Sequence, residues 1–317
     1  MNDFLDYIAI ERKYSPRTVE AYREDLKEFC AYLGVEAEDF NPCLPDENDV
    51  KGWVLAMMEE KGHSPRSVKR KMSALRSYYK YLLREKKVDK DITRKVILPK
   101  VKPSLPVFFK PHEMEQATQQ MVYADDFESI RDSLVISMFY QTGMRLAEMT
   151  ALTDNDIDLS EGQIRVFGKR RKERIIPIGD GLVAQIGAYI EAREKIQTEQ
   201  PSEGIMDGHP FWVQRLRSGK IKPLARITIY NIVRARMGEI STLKKHSPHV
   251  LRHTFATTLL DKGADIRSIQ TLLGHASLNT TQVYTHTTFE QIQRVYRDAH
   301  PRVGGFSGQK MVKKDQK

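Results

Sequence analysis

A run of prolines, Pro99, Pro103, Pro106 and Pro111, interrupts the chain about a third of the way along. Proline locks φ and has no N–H to donate, so neither a helix nor a central strand runs through such a stretch. The chain therefore folds as two bodies joined there, and 317 residues suffice for about two domains of ordinary size. We place the first domain at residues 1–98, a linker at 99–106, the second domain at 107–302, and a basic Gly- and Lys-rich tail at 303–317.

The first domain reads as helices. Ser15-Pro16 combines an N-cap residue with a proline at the first helical position. Val19, Tyr22, Leu26, Phe29 and Leu33 follow at helical spacing, and Gly34 stops the run. A second helix is predicted from about Glu47 to Glu60, with Val50, Trp53, Val54 and Met57 inward and Gly62 at its end. Ser64-Pro65 then repeats the start signal, and Val68, Met72, Leu75, Tyr79 and Leu82 form another apolar stripe. We attribute the matching starts Ser15–Val19 and Ser64–Val68 to shared capping physics rather than to an internal repeat. The second domain reads as mostly helical with one short hairpin: Ile164 and Val166 alternate with polar residues, residues 168–173 look like a turn, and Arg174-Ile175-Ile176-Pro177-Ile178 returns.

Charge narrows the partner. The chain carries 51 Lys+Arg against 42 Asp+Glu, a net of +9, and phosphates attract such a surface. The distribution is uneven. Residues 1–60 hold 6 basic and 15 acidic residues, a net of −9, while residues 61–100 hold 14 and 3, a net of +11. The polar side of the stripe after Pro65 carries Arg66, Lys69, Arg70, Lys71, Arg76 and Lys80, which we read as a DNA-contacting face. The two cysteines, Cys30 and Cys43, form no CxxC pair, the N-terminus lacks a signal-peptide pattern, and no stretch approaches the roughly 18 apolar residues of a membrane span. The expectation is a cytoplasmic, nucleoid-associated protein that binds no membrane.

The chemistry lies in the second domain. Its local motifs are Gln141-Thr142-Gly143-Met144-Arg145-Leu146-Ala147-Glu148, Gly168-Lys169, Ser247-Pro248-His249-Val250-Leu251-Arg252-His253, and Leu272-Leu273-Gly274-His275, with Tyr284-Thr285-His286 beyond. In this order and spacing the chain resembles the tyrosine recombinase (phage integrase) family, and Xer-type recombinases most closely, over nearly its whole length. The resemblance implies a mainly α fold: an N-terminal helical core-binding (SAM-like) domain and a mainly α catalytic domain with a small β-hairpin.

It also implies a reaction, cleavage and rejoining of DNA through a 3′-phosphotyrosyl link. Tyr284 is then the nucleophile. Arg145 and Arg252 neutralise the scissile phosphate, His249 serves in acid/base or phosphate contact, His275 is a further phosphate ligand, and Glu148 orients its neighbours. Lys169 resembles the general acid, with Lys172 in the same crowded turn a competitor. The residue types suit this chemistry. Guanidinium forks match phosphate geometry and keep their charge. A tyrosine hydroxyl, with an ordinary pKa near 10, needs cationic neighbours to attack at neutral pH. No metal and no cofactor are implied. The partner is double-stranded DNA with inverted-repeat half-sites, bound by a homodimer that pairs into a tetramer, or joined by a second recombinase. The segment Phe289–His300, with Ile292 and Val295-Tyr296 as its apolar side, is a candidate for docking on a neighbouring protomer. The chain starts almost directly with the core-binding helices, which favours chromosome or plasmid dimer resolution or a simple mobile-element role over an integrase with an extra arm-binding domain.

Other classes fit less well. A metal-dependent nuclease needs convergent carboxylates; the stretch Asp154-Asn155-Asp156-Ile157-Asp158 has the start of a calcium-loop spacing but Leu159 and Arg165 stand where Gly and Glu are needed. His253, four residues after His249, lacks the HExxH context of a zinc pair. A DNA-binding accessory protein would have no reason to keep the whole catalytic set, and a type IB topoisomerase would lack the integrase-like N-terminal domain.

Overall fold

The computed structural model describes residues 1–101, 107–119, 126–168, 173–199 and 209–274. The chain divides into two compact units, Met1–Leu105 and Pro106–Lys317.

The first unit is helical: α1 (Asn2–Asp6), a single π-helical turn (Tyr7–Glu11), α2 (Pro16–Tyr32), α3 (Glu47–Glu59) and α4 (Pro65–Arg84). Its helix starts follow the sequence. The Ser15 hydroxyl accepts from the Thr18 N–H at 3.2 Å and that of Ser64 from the Ser67 N–H at 3.2 Å, each with proline at the next position. The two caps have almost the same backbone angles (φ −65°, ψ 148° and φ −66°, ψ 151°), so similar words in the sequence produce one local geometry. Asp46 caps α3, and Asp49 accepts from the Asp46 N–H at 2.8 Å. Leu26, Phe29, Val50, Trp53, Met57, Val68, Met72, Leu75, Tyr79 and Leu82 are buried together as the periodicity requires. The sequence did not single out α1, which is too short to show a period, although Phe4 and Leu5 are buried in the same core.

The second unit is built around α6 (Phe127–Thr142). From Leu134 to Thr142 every residue of this helix is buried, as in a central helix. Preceding it is α5 (Pro111–Gln119), and following it are the short α7 (Leu146–Thr150) and a three-stranded antiparallel sheet, β1 (Ile157–Asp158), β2 (Gln163–Phe167) and β3 (Glu173–Pro177), in the order β1-β2-β3. Then come α8 (Asp180–Glu199), strands β4 (Val213–Arg215) and β5 (Ile221–Pro223), α9 (Arg226–Ile240), α10 (Pro248–Asp261) and α11 (Ile266–Leu273). Phe167 faces Glu173 across the β2–β3 ladder, so the two strands lie where the alternation put them.

The sheet content exceeds the expected single hairpin. Strands β4 and β5 form a second one around Gly219, whose φ is +83°. Three-residue strands are too short to display a period of two, and this explains why the sequence hid them. The acidic stretch at residues 154–158 is a single 3₁₀ turn (Asp154–Asp156) running into β1, and Asp154 pairs with Arg193 at 2.7 Å.

Candidate active site

Helix α6 ends at Gly143, which takes the left-handed conformation (φ 59°) and returns its N–H to Phe139 O. A side chain would not fit there, since a Cβ would lie 2.4 Å from Cδ1 of Phe255. The sharp turn sets Arg145 at the N-cap of α7 and Glu148 three residues into it. The Glu148 carboxylate accepts from the Arg145 N–H (2.7 Å) and the Arg145 Nη1 (2.8 Å). It also accepts from both terminal nitrogens of Arg174 at 2.9 Å each, a planar fork on a planar carboxylate.

Helix α10 begins at the Ser247-Pro248 start and carries Arg252 inward. Arg252 donates to Gly143 O (2.5 Å) and Leu273 O (2.6 Å). Arg145 donates to Gly274 O (2.8 Å), and the Nε of Arg174 donates to Leu272 O (2.7 Å). Three successive carbonyls at the C-terminal end of α11 thus each receive a different arginine. A helix C-terminus carries partial negative charge and unpaired carbonyls, so cations belong there.

The electrostatics follow from the packing. Burial would raise the Glu148 carboxyl, but Arg174 and Arg145 outweigh it and bring the pKa down to about 2. Burial, then the positive charges of Arg145 and Arg174, lower Arg252 to about 10, which leaves its guanidinium charged at neutral pH. Among the described residues, three guanidiniums surround one carboxylate, a local excess of two positive charges. Arg145 is the member that reaches solvent substantially, at 40% side-chain exposure against 4% for Arg174.

The structure brings Arg145, Glu148 and Arg252 together and puts His249, exposed, on the first turn of α10, three residues before Arg252. Lys169, Lys172, His275, Tyr284 and the segment Phe289–His300 lie outside the described residues, although His275 directly follows Gly274 and residues 169–172 connect the paired ends of β2 and β3. His253 is half-buried with its ring edge-on to Phe108 at 6.3 Å. Sequence reading missed Arg174. The available signal was its phase: it shares the inward-facing parity of β3 with Ile176, and a charge there must have a partner.

In the first unit the basic residues of α4 separate into two groups. Arg66, Lys69, Arg70 and Lys80 are exposed, while Lys71 and Arg76 are half-buried. Arg70 forks onto Asp25 of α2 at 2.5 and 2.7 Å, and Asp25 is buried. Lys71 reaches both Asp25 (3.3 Å) and Glu28, and Arg76 donates to Val96 O at 3.1 Å. Part of the acidic block of residues 1–60 is therefore the counter-charge of the basic block that follows it.

Comparison with known proteins identifies the family. The phage integrase family model matches residues 108–291, and the phage integrase N-terminal SAM-like domain matches residues 1–86. The chain is 36% identical over 313 residues to the tyrosine recombinase XerC of Pelotomaculum thermopropionicum, covering 96% of this chain and 99% of that one. It is 34% identical over 303 residues to the tyrosine recombinase XerD of Listeria monocytogenes, covering 95% and 98%. In fold it is similar to the XerH site-specific recombinase bound to palindromic difH substrate, with a TM-score of 0.65 and 23% identity over 90% of this chain and 81% of that one. Both halves of the sequence match, and the matches run almost end to end through the arginine cluster; the chain belongs to the phage integrase family, with Xer-type tyrosine recombinases among its relatives.

Proposed function

We propose that this protein is a site-specific DNA recombinase that cuts and rejoins DNA strands through a 3′-phosphotyrosyl link to Tyr284. The observation that carries the reading is the cluster of Arg145, Arg252 and Glu148 at the end of α11, a fixed positive site of phosphate-binding chemistry next to His275 in the chain. Arg145 and Arg252 neutralise the non-bridging oxygens, and as preorganised cations they stabilise the charge that builds on phosphorus. His249 and His275 assist at the same phosphate. The Tyr284 hydroxyl attacks phosphorus and gives its proton to a neighbouring base, the acid/base role assigned to His249; the bond to the 5′-oxygen breaks, and that oxygen takes a proton from Lys169 or its neighbour Lys172. Attack by another strand's 5′-hydroxyl reverses the step and releases Tyr284. The phosphodiester energy is conserved in the intermediate, so no ATP is needed. With the arginines carrying the phosphate charge, the reaction proceeds without a metal and without a cofactor.

The partner is duplex DNA with inverted-repeat half-sites, bound by a DNA-binding domain (1–98) and by a catalytic domain (107–302). Recombination joins two dimers into a tetramer, with a second recombinase as an alternative partner, at the nucleoid of the cytoplasm. Arg66 and Lys69 of α4 contact the backbone, and Arg70 does so with its fork turned to Asp25. The role is dimer resolution or mobile-element integration, excision or inversion.

The test is adduct trapping. A half-site selected by the protein from random duplexes is made into a nicked suicide substrate, and the wild type is expected to form a covalent adduct that Tyr284→Phe does not, with binding retained. An equal adduct yield from Tyr284→Phe, or none from the wild type, overturns the reading.

A further inference from the structure

We infer that Arg174, outside the phosphate-contacting set, is a positioning residue that holds both supports of Arg145; this rests on the recombinase reading above. A long side chain with 40% exposure, as Arg145 has, samples many rotamers unless it is held. Arg145 has two holds. One is Glu148, whose Oε1 takes its Nη1, and the other is Gly274 O at the end of α11.

Arg174 braces both of them. Its fork occupies the same two Glu148 oxygens that serve Arg145: Oε1 receives Arg145 Nη1 and Arg174 Nη1, while Oε2 receives the Arg145 N–H and Arg174 Nη2. The plane of the carboxylate is thereby fixed by a second guanidinium besides Arg145. The remaining donor, Nε, holds Leu272 O two residues before the carbonyl that Arg145 uses. A Cβ on Gly274 would come within 3.1 Å of Arg174 Nη1, so the end of α11 rests against this guanidinium.

Stability alone is a poor account of the pair. Arg174 and Glu148 are 4% and 6% exposed, and a buried ion pair is seldom more stabilising than apolar side chains of the same volume. What the pair supplies is geometry. It also joins β3 to α7 and α11, so the strand that follows residues 168–172 and the arginine cluster share one anchor.

The experiment compares two suicide substrates of the selected half-site, one with an ordinary scissile phosphate and one with a methylphosphonate there. The methylphosphonate carries no negative charge for Arg145 to neutralise. Misplacing a catalytic group by about 1 Å costs on the order of 100-fold, so Arg174→Met is expected to cleave the ordinary substrate about 10- to 100-fold more slowly, with half-site binding retained. On the methylphosphonate the ratio of wild type to Arg174→Met should collapse towards unity, as it should for an Arg145→Ala control. Arg174→Lys keeps the charge without the planar fork and should fall between wild type and Arg174→Met on the ordinary substrate; if Arg174→Met does not fold, Arg174→Lys carries the comparison. Equal losses on both substrates while Arg145→Ala is rescued, or a variant as fast as wild type, would overturn the inference. Absence of adduct from the wild type would instead refute the recombinase reading itself.

Discussion

Glu148 is the side chain through which acid should weaken the arginine cluster. Its carboxyl is held near 2 in the folded protein, against an ordinary value near 4.3 when unfolded. A depressed carboxylate stabilises the fold above its unfolded pKa, and that contribution drains away as pH falls from about 4.5 towards 2. The stability difference between wild type and Glu148→Gln should therefore be largest at neutral pH and shrink across that acid window, measured by denaturant unfolding at each pH. A difference independent of pH would show that the charge on Glu148 is not what the fold uses. Gly143 faces a steric limit instead: an alanine there meets φ 59° and the Phe255 ring. The left-handed conformation costs about 1–2 kcal/mol and the crowding about 1–3 kcal/mol, so Gly143→Ala should lose roughly 2–5 kcal/mol in the same assay. At this scale Arg145, Glu148 and Arg252 were legible because each sits in a compact motif. Arg174 was not, because it stands in a strand of only five residues and its partners lie 26 and 98 residues away.

Helix α4 offers a test at the scale of the element. Its exposed face presents Arg66, Lys69 and Lys80, whereas Lys71 and Arg76 are drawn towards α2 and the Val96 carbonyl. Replacing Arg66 and Lys69 with alanine should reduce the log–log salt dependence of DNA binding by about 0.9 for each phosphate that the protein no longer neutralises. Lys71→Ala should leave that slope alone and lower the stability of the first unit, because it strips a partner from the buried Asp25. A salt slope unchanged by the first pair would make the face merely solvated. The sequence alone treats all these cations alike: helical spacing shows which side is polar, but not which polar groups answer a carboxylate on another helix. Caps and long apolar stripes were readable in α2, α3 and α4 because each is a local interaction repeated over several turns. The β4–β5 hairpin escaped because its pairing depends on a Gly219 turn and three-residue strands.

For the whole protein, strand cleavage is expected to persist in excess EDTA and without nucleotide if, as proposed, the arginines carry the phosphate charge. Adduct formation on the suicide substrate is the readout, and loss in EDTA with recovery on adding magnesium would contradict the expectation. The arginine cage around the α11 carbonyls has a further consequence, for folding. Its bonds close across 129, 109 and 98 residues of chain. Contacts of such long range form late, after the entropy of closing the intervening loops has been met. A fragment of the second unit that stops short of α11 lacks the carbonyls on which the arginines converge, so a partly folded chain has no partial site. In a denaturant titration, then, cleavage competence should vanish in step with the cooperative unfolding of the second unit rather than ahead of it, and a nascent chain would be inert towards DNA phosphates until the α11 end has arrived.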